Sequence, residues 1–175
     1  YGGWYGSGNL GDDAILIGLR NLLSEILPDL EIAALSIDVS QTRRVCKVEA
    51  FPLRSPRELL TPRSGLGIRD YRRHFEWADA CILTGGTPIY DYDHTSRVIH
   101  CRLPRLLGKE LICFGIGAKP VRSFHGKRIV KWLLEDAAAV SARDRGSERE
   151  LRKTGLEREI PVTGDSALFL EPAAI

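Results

Sequence analysis

No apolar stretch in this sequence approaches the ~18 residues that a membrane-spanning helix needs, and no secretion signal is visible. The expected location is therefore the cytoplasm. Charge of one sign is also lacking: 25 basic residues face 23 acidic ones, a net +2. Without a basic stripe, nucleic acid is excluded as a partner. The four cysteines, Cys46, Cys81, Cys101 and Cys113, form no C-x-x-C pair, and two of them lie inside apolar strand-like runs. They are expected to be buried, reduced thiols. No His, Cys or carboxylate cluster has a ligand spacing, so no metal is expected. Methionine is absent, the initiator included. Only four residues precede Tyr5 in a glycine turn of a kind that follows a strand. The first strand is expected to be missing or shortened, and the chain to be part of a longer one.

What remains is 175 residues of ordinary composition, one domain long enough for a sizeable core. Apolar residues recur at helical spacing over Asp12–Leu27, where Pro28 stops the run. Strands are expected at Glu31–Asp38, Val48–Phe51, Ala80–Gly86, Glu110–Val121, Ala138–Asp144 and in the segment Arg158–Ala167. Helices are expected at Ile68–Ala78, Thr95–Gly108, Lys127–Ala138 and Ser147–Lys153, the last ended by Gly155. Arg54–Gly67, rich in Pro, Gly, Ser and Arg, is expected to be loop. This alternation predicts an α/β domain over 1–175 with a Rossmann-like, doubly wound, mostly parallel sheet. Ligands of such sheets bind beyond the carboxyl ends of the strands. Five loops collect there: Gly6–Asp13, Gly85–Arg97, Gly115–Ser123, Arg143–Ser147 and Thr163–Ser166.

The first loop, YGSGNLGDDAIL, satisfies G-x-G-x-x-G, the pattern of a dinucleotide turn. Two features oppose that reading. The acidic residue expected about 20 positions on is misplaced: Glu31 begins its strand and Asp38 comes late. Asp12 and Asp13 also occupy the helix end where a phosphate would sit. One of them is expected to cap the helix. Together with Ser7 and Asn9 they suit the hydroxyls of a polyol better than a phosphate.

The motifs taken in order resemble the polysaccharide pyruvyl transferase family. GWYGSGNLGDDAIL is similar to its opening motif, ADACILTGGTPIYD to its glycine-rich strand end, and LLGKELICFGIGAKPV to its third motif. AAAVSARDRGSERELRKTG and PVTGDSALFLEP resemble its last two. Any one is weak, but the ordered set spans nearly the whole chain. Two departures fall in cleft loops: Thr87-Pro88 replaces a Gly-Ser pair, and Ile116 replaces a Gln.

The resemblance implies the N-terminal half of a glycosyltransferase-B-like two-domain protein, its partner being the missing C-terminal domain. It implies transfer of a pyruvyl group from phosphoenolpyruvate, a donor substrate rather than a cofactor, to two hydroxyls of a bacterial polysaccharide or its lipid-linked precursor. The product is a cyclic ketal, and a lipid-linked acceptor would bring the protein to the inner face of the membrane. This chain alone is expected to be inactive. Substrate contacts are expected from Tyr5, Ser7, Asn9, Asp12, Asp13, Gly85, Gly86, Thr87, Gly115, Gly117, Arg143 and Ser147. Arg143 is the choice for the donor's anion, and Tyr5 or Trp4 for a stacking platform. Asp13, Asp91, His94 and Asp165 are the candidates for proton transfer. The alternatives are a non-catalytic sugar- or sugar-nucleotide-binding domain and a dinucleotide-dependent enzyme.

Overall fold

The computed structural model describes residues 3–60, 68–92 and 94–171, without the side chains of Leu60, Asp70 and His94. Helices α1 (Leu10–Ile26), α2 (Val39–Cys46), α3 (Pro56–Leu60), α4 (Ile68–Trp77), α5 (His94–Leu106), α6 (Phe124–Glu135) and α7 (Arg145–Arg152) alternate with strands β1 (Ala33–Ser36), β2 (Glu49–Pro52), β3 (Ala80–Leu83), β4 (Glu110–Ile116) and β5 (Ala139–Ala142). All strand pairs are parallel, as the helical connections require. The architecture is the α/β, Rossmann-like doubly wound class.

The strands fall into two sheets, β1-β2 and β3-β4-β5. Between the edges of β1 and β3 lies a cavity of about 550 Å³, lined by Leu16, Leu19, Ala34, Leu35, Phe75 and Leu83 among others. The largest core cluster sits under the three-stranded sheet, where Leu83, Leu111, Ile116 and Val140 meet Val130, Leu134 and Leu151 of α6 and α7. These strands are nearly continuous apolar runs because they are buried on both faces.

Several boundaries differ from the sequence reading. The cap of α1 is Asn9, whose side chain accepts from the Gly11 amide at 3.1 Å, and not Asp12 or Asp13. Segment α2 was not anticipated; it is polar, and Asp38 caps it by accepting from the Gln41 amide. Helix α3 lies within the expected loop Arg54–Gly67, whose residues 61–67 are outside the described residues. Ser55 and Glu58 form a reciprocal capping box there, with Pro56 at the first helical position. The segment Arg158–Ala167 makes only an isolated bridge, Ala142 to Val162, before a 3-10 turn at Ser166–Phe169.

That turn clasps α1. A Cβ on Gly18 would stand 1.9 Å from the Ser166 carbonyl oxygen, so only glycine allows this approach. The Ser166 hydroxyl donates to the Ile15 carbonyl at 2.9 Å, and the Asn21 amide donates to that of Phe169 at 3.0 Å.

Candidate functional site

All five glycine-bearing loops meet at the carboxyl ends of the strands, and named contacts interlock them. The Arg143 guanidinium donates to the Gly86 carbonyl at 2.8 Å and lies 3.6 Å from Asp165 Oδ2. The Ala118 amide donates to the buried Ser147 hydroxyl at 3.1 Å. Ile89 and Ala118 form a parallel bridge. Gly117 packs directly on the second loop: a Cβ there would be 2.0 Å from the Gly86 carbonyl oxygen and 3.2 Å from Thr87 Cα. Gly115 donates to the Ser141 hydroxyl at 2.9 Å, which Thr163 also contacts at 3.0 Å. Gly85, with φ +112°, turns the chain at the end of β3.

The opening loop is organised by its own oxygens. Asp12 Oδ2 accepts from the Trp4 amide at 3.2 Å and from the Asn9 side-chain amide at 2.8 Å. Its other oxygen points toward the second loop, 3.6 Å from where a Cβ on Gly86 would stand. Ser7, Gly8, Asn9 and Leu10 form the exposed tip. Within the turn the Gly11 amide is taken by the Asn9 side chain and the Gly6 amide faces Asp13, and the Asp12 carboxylate stands at the helix end where a diphosphate would sit, which weighs against the dinucleotide reading.

Other expected residues are placed differently. Asp13 turns inward, 3% exposed; its Oδ1 lies 3.4 Å from the Gly6 amide and 3.9 Å from the Cys46 thiol. Burial, then the Asp13 charge, pushes that thiol up to about 11. Tyr5 is 1% exposed and packs with Leu16, Ala34, Cys46 and Val48, so it cannot serve as a stacking platform. Burial first, and the Asp12 charge second, hold its phenol protonated well above the usual range. Trp4, 64% exposed, keeps the platform role open. Asp91 accepts from the Ser123 hydroxyl at 2.6 Å and from the Arg122 and Ser123 amides, fixing the start of α6. Asp165 caps the 3-10 turn through the Ala167 amide at 3.0 Å. The His94 side chain lies outside the described residues.

Arg143 is the most constrained of the set. Besides Gly86 and Asp165 it contacts Asp144 at 3.3 Å. Asp144 itself accepts from the Ser147 amide at 2.7 Å, and this bond, foremost, holds its carboxyl below the usual range. One residue with no expected role proves central to the second loop. Arg97, buried, donates to the Pro88 carbonyl at 3.0 Å and to that of Tyr92, and lies over the Tyr90 ring at 4.6 Å. Nothing in the sequence set it apart, since the same helix also carries Arg102 and Arg105. Among the described residues no group of His, Cys, Asp and Glu could hold a metal ion, and no helix is long and apolar enough to cross a membrane.

No curated protein and no solved structure shows significant similarity to the chain. A family model described as polysaccharide pyruvyl transferase matches residues 9–174, from the Asn9 cap through the last of the five loops. A match over nearly the whole length, with those loops converging on one edge, means that the chain belongs to the polysaccharide pyruvyl transferase family.

Proposed function

We propose that this chain forms the acceptor-binding wall of a pyruvyl transfer site. In the reaction, the methylene of phosphoenolpyruvate takes a proton, leaving an oxocarbenium-like carbon. Two sugar hydroxyls attack that carbon in turn, each losing a proton, while phosphate departs and a cyclic ketal closes. The acceptor is a sugar of a bacterial surface polysaccharide or of its lipid-linked precursor.

The carrying observation is the charge arrangement at the sheet edge. Asp144 and Asp165 stand beside Arg143, whose guanidinium they and the Gly86 carbonyl engage, and Asp12 faces the same Gly86 turn. Such a wall offers acceptors for hydroxyl groups and repels a multiply charged donor. Arg143 therefore acts as a positioning residue that holds the second loop. The donor's carboxylate and phosphate fall to cationic groups of a second domain across the cleft. Asp12 is the group placed to take the sugar proton: one oxygen is anchored by Trp4 and Asn9, and the other faces the Gly86 turn. Trp4 supplies an exposed ring beside it.

The test is acceptor-dependent phosphate release from phosphoenolpyruvate by the chain joined to its second domain. Asp12→Asn should lower kcat by about 10²-fold or more, the usual contribution of a positioned base. Undiminished turnover in that variant would refute the role. A non-catalytic sugar-binding reading has one observation in its favour. Pro88 lacks an N–H, and the neighbouring Ile89 amide is spent on the Gly117 carbonyl at 3.4 Å. Sugar binding by calorimetry without any turnover would select it.

A further inference from the structure

The inner and outer sides of helix α6 are unlike. Val130, Leu133 and Leu134 are buried in the core under the three-stranded sheet, so the inner side is spent on the fold. The outer side is not the plainly polar surface that a helix usually turns to water. It carries Phe124, 68% exposed, then Arg128, then Trp132, 47% exposed, at successive i, i+4 positions. Arg128 lies over the Phe124 ring at 5.6 Å, and Arg102 of α5 over the Trp132 ring at 4.3 Å.

Charge along this segment departs from the balance of the chain. Residues 119–134 hold Lys119, Arg122, Lys127, Arg128 and Lys131 and no carboxylate, where the whole sequence has 25 basic residues against 23 acidic. Lys119, Arg122 and Arg128 are exposed. The carboxylates that meet the patch come from other segments or from the far end of α6. Asp91 accepts from the Arg122 and Ser123 amides, Glu157 lies 3.5 Å from Lys131, and Asp136 lies 3.2 Å from Arg102. The outer side of a helix is convex and offers no pocket to a small ligand or a sugar chain. It does suit a flat layer of anionic headgroups over an apolar interior. Aromatic rings settle at headgroup level, and nearby Lys and Arg are drawn to the negative surface potential. An arginine stem can follow a ring inward while its head stays with the phosphates.

We infer that the outer side of α6, with Lys119 and Arg122 ahead of it, is a docking surface for an anionic lipid bilayer. The rings of Phe124 and Trp132 enter the headgroup layer, and the cations around them hold its charge. Asp91 of the second loop binds the Ser123 hydroxyl at the head of α6, so the bilayer lies beside the cleft. This attachment needs no sugar acceptor and is independent of the proposed transfer chemistry.

The test is binding of the protein to vesicles free of any sugar lipid. Vesicles with one-third phosphatidylglycerol in phosphatidylcholine should bind at least about tenfold more tightly than phosphatidylcholine alone, and about 0.5 M salt should release them. Arg122→Gln with Arg128→Gln should weaken binding about tenfold or more. Phe124→Ser, at a site too exposed to endanger folding, should weaken it about fivefold, whereas Phe124→Leu should retain it. Arg152→Gln with Lys153→Gln removes the same charge from the end of α7 and should change it by less than about twofold. Failure to prefer the anionic vesicles would overturn the inference, as would an equal loss from the α7 variant. Binding indifferent to Phe124→Ser would overturn it too, and would assign the patch to a soluble polyanion.

Discussion

At the residue scale, the interior polar groups set the sharpest expectations. His100 is 2% exposed, with Tyr71 Oη 2.7 Å from Nε2 and the Ser96 carbonyl 2.7 Å from Nδ1. The carbonyl can only accept, so Nδ1 carries the proton and Nε2 accepts from the tyrosine. Burial pushes the imidazole down to about 4, from 6.5 in the free side chain. The unfolded chain thus takes up the proton first as pH falls. The contribution is whole above pH 6.5 and is lost between there and pH 4, by up to about 3 kcal/mol. Urea unfolding at intervals across that window should show the loss, and His100→Gln should flatten it. Gly117→Ala should cost about 1–3 kcal/mol by forcing the third loop off the Gly86 carbonyl, measured as a lower urea midpoint with an unchanged slope.

At the scale of elements, the buried pair Ser36 and Thr42, 2.7 Å apart, ties β1 to α2, and Ser36 also donates to the Tyr5 carbonyl at 3.1 Å. Ser36→Ala leaves the Thr42 hydroxyl without that partner in the core, at a cost of about 1–3 kcal/mol. Thr42→Val, which removes the second polar group as well, should recover part of that loss in the double variant. The elements also show what could be read in advance. Helix α1 and strands β3 to β5 were legible because core burial imposes its period on them. Helices α2 and α3 were not, since caps rather than apolar faces hold them; Ser55-Pro56-Arg57-Glu58 did carry a readable capping signal. At the site, the choice of loops was legible and the direction of side chains was not. Tyr5 looks like a platform beside glycines, yet its carbonyl pairs with Ile37 and its ring turns into the core. Arg143 and Asp165 are 22 residues apart, and only the folded chain brings them together.

For the whole molecule, the four thiols report on the seam between the sheets. Cys46, Cys101 and Cys113 are buried, and burial pushes their thiols up, that of Cys101 to about 12. Cys81 is half-buried on β3 and lines the cavity. A soluble disulfide reagent at neutral pH should therefore modify Cys81 first, by at least tenfold in rate, with the other three following only at the rate of unfolding. Equal rates for all four would mean that the three-stranded sheet opens as readily as the seam.

The clasp of Ser166 on Gly18 has a bearing on how the protein is born. A ribosome delivers α1 well before its latch, so the helix must wait with one flank bare until Ser166 has emerged. Nascent chains stalled before residue 166 should remain sensitive to protease in α1, and those stalled well beyond it should not.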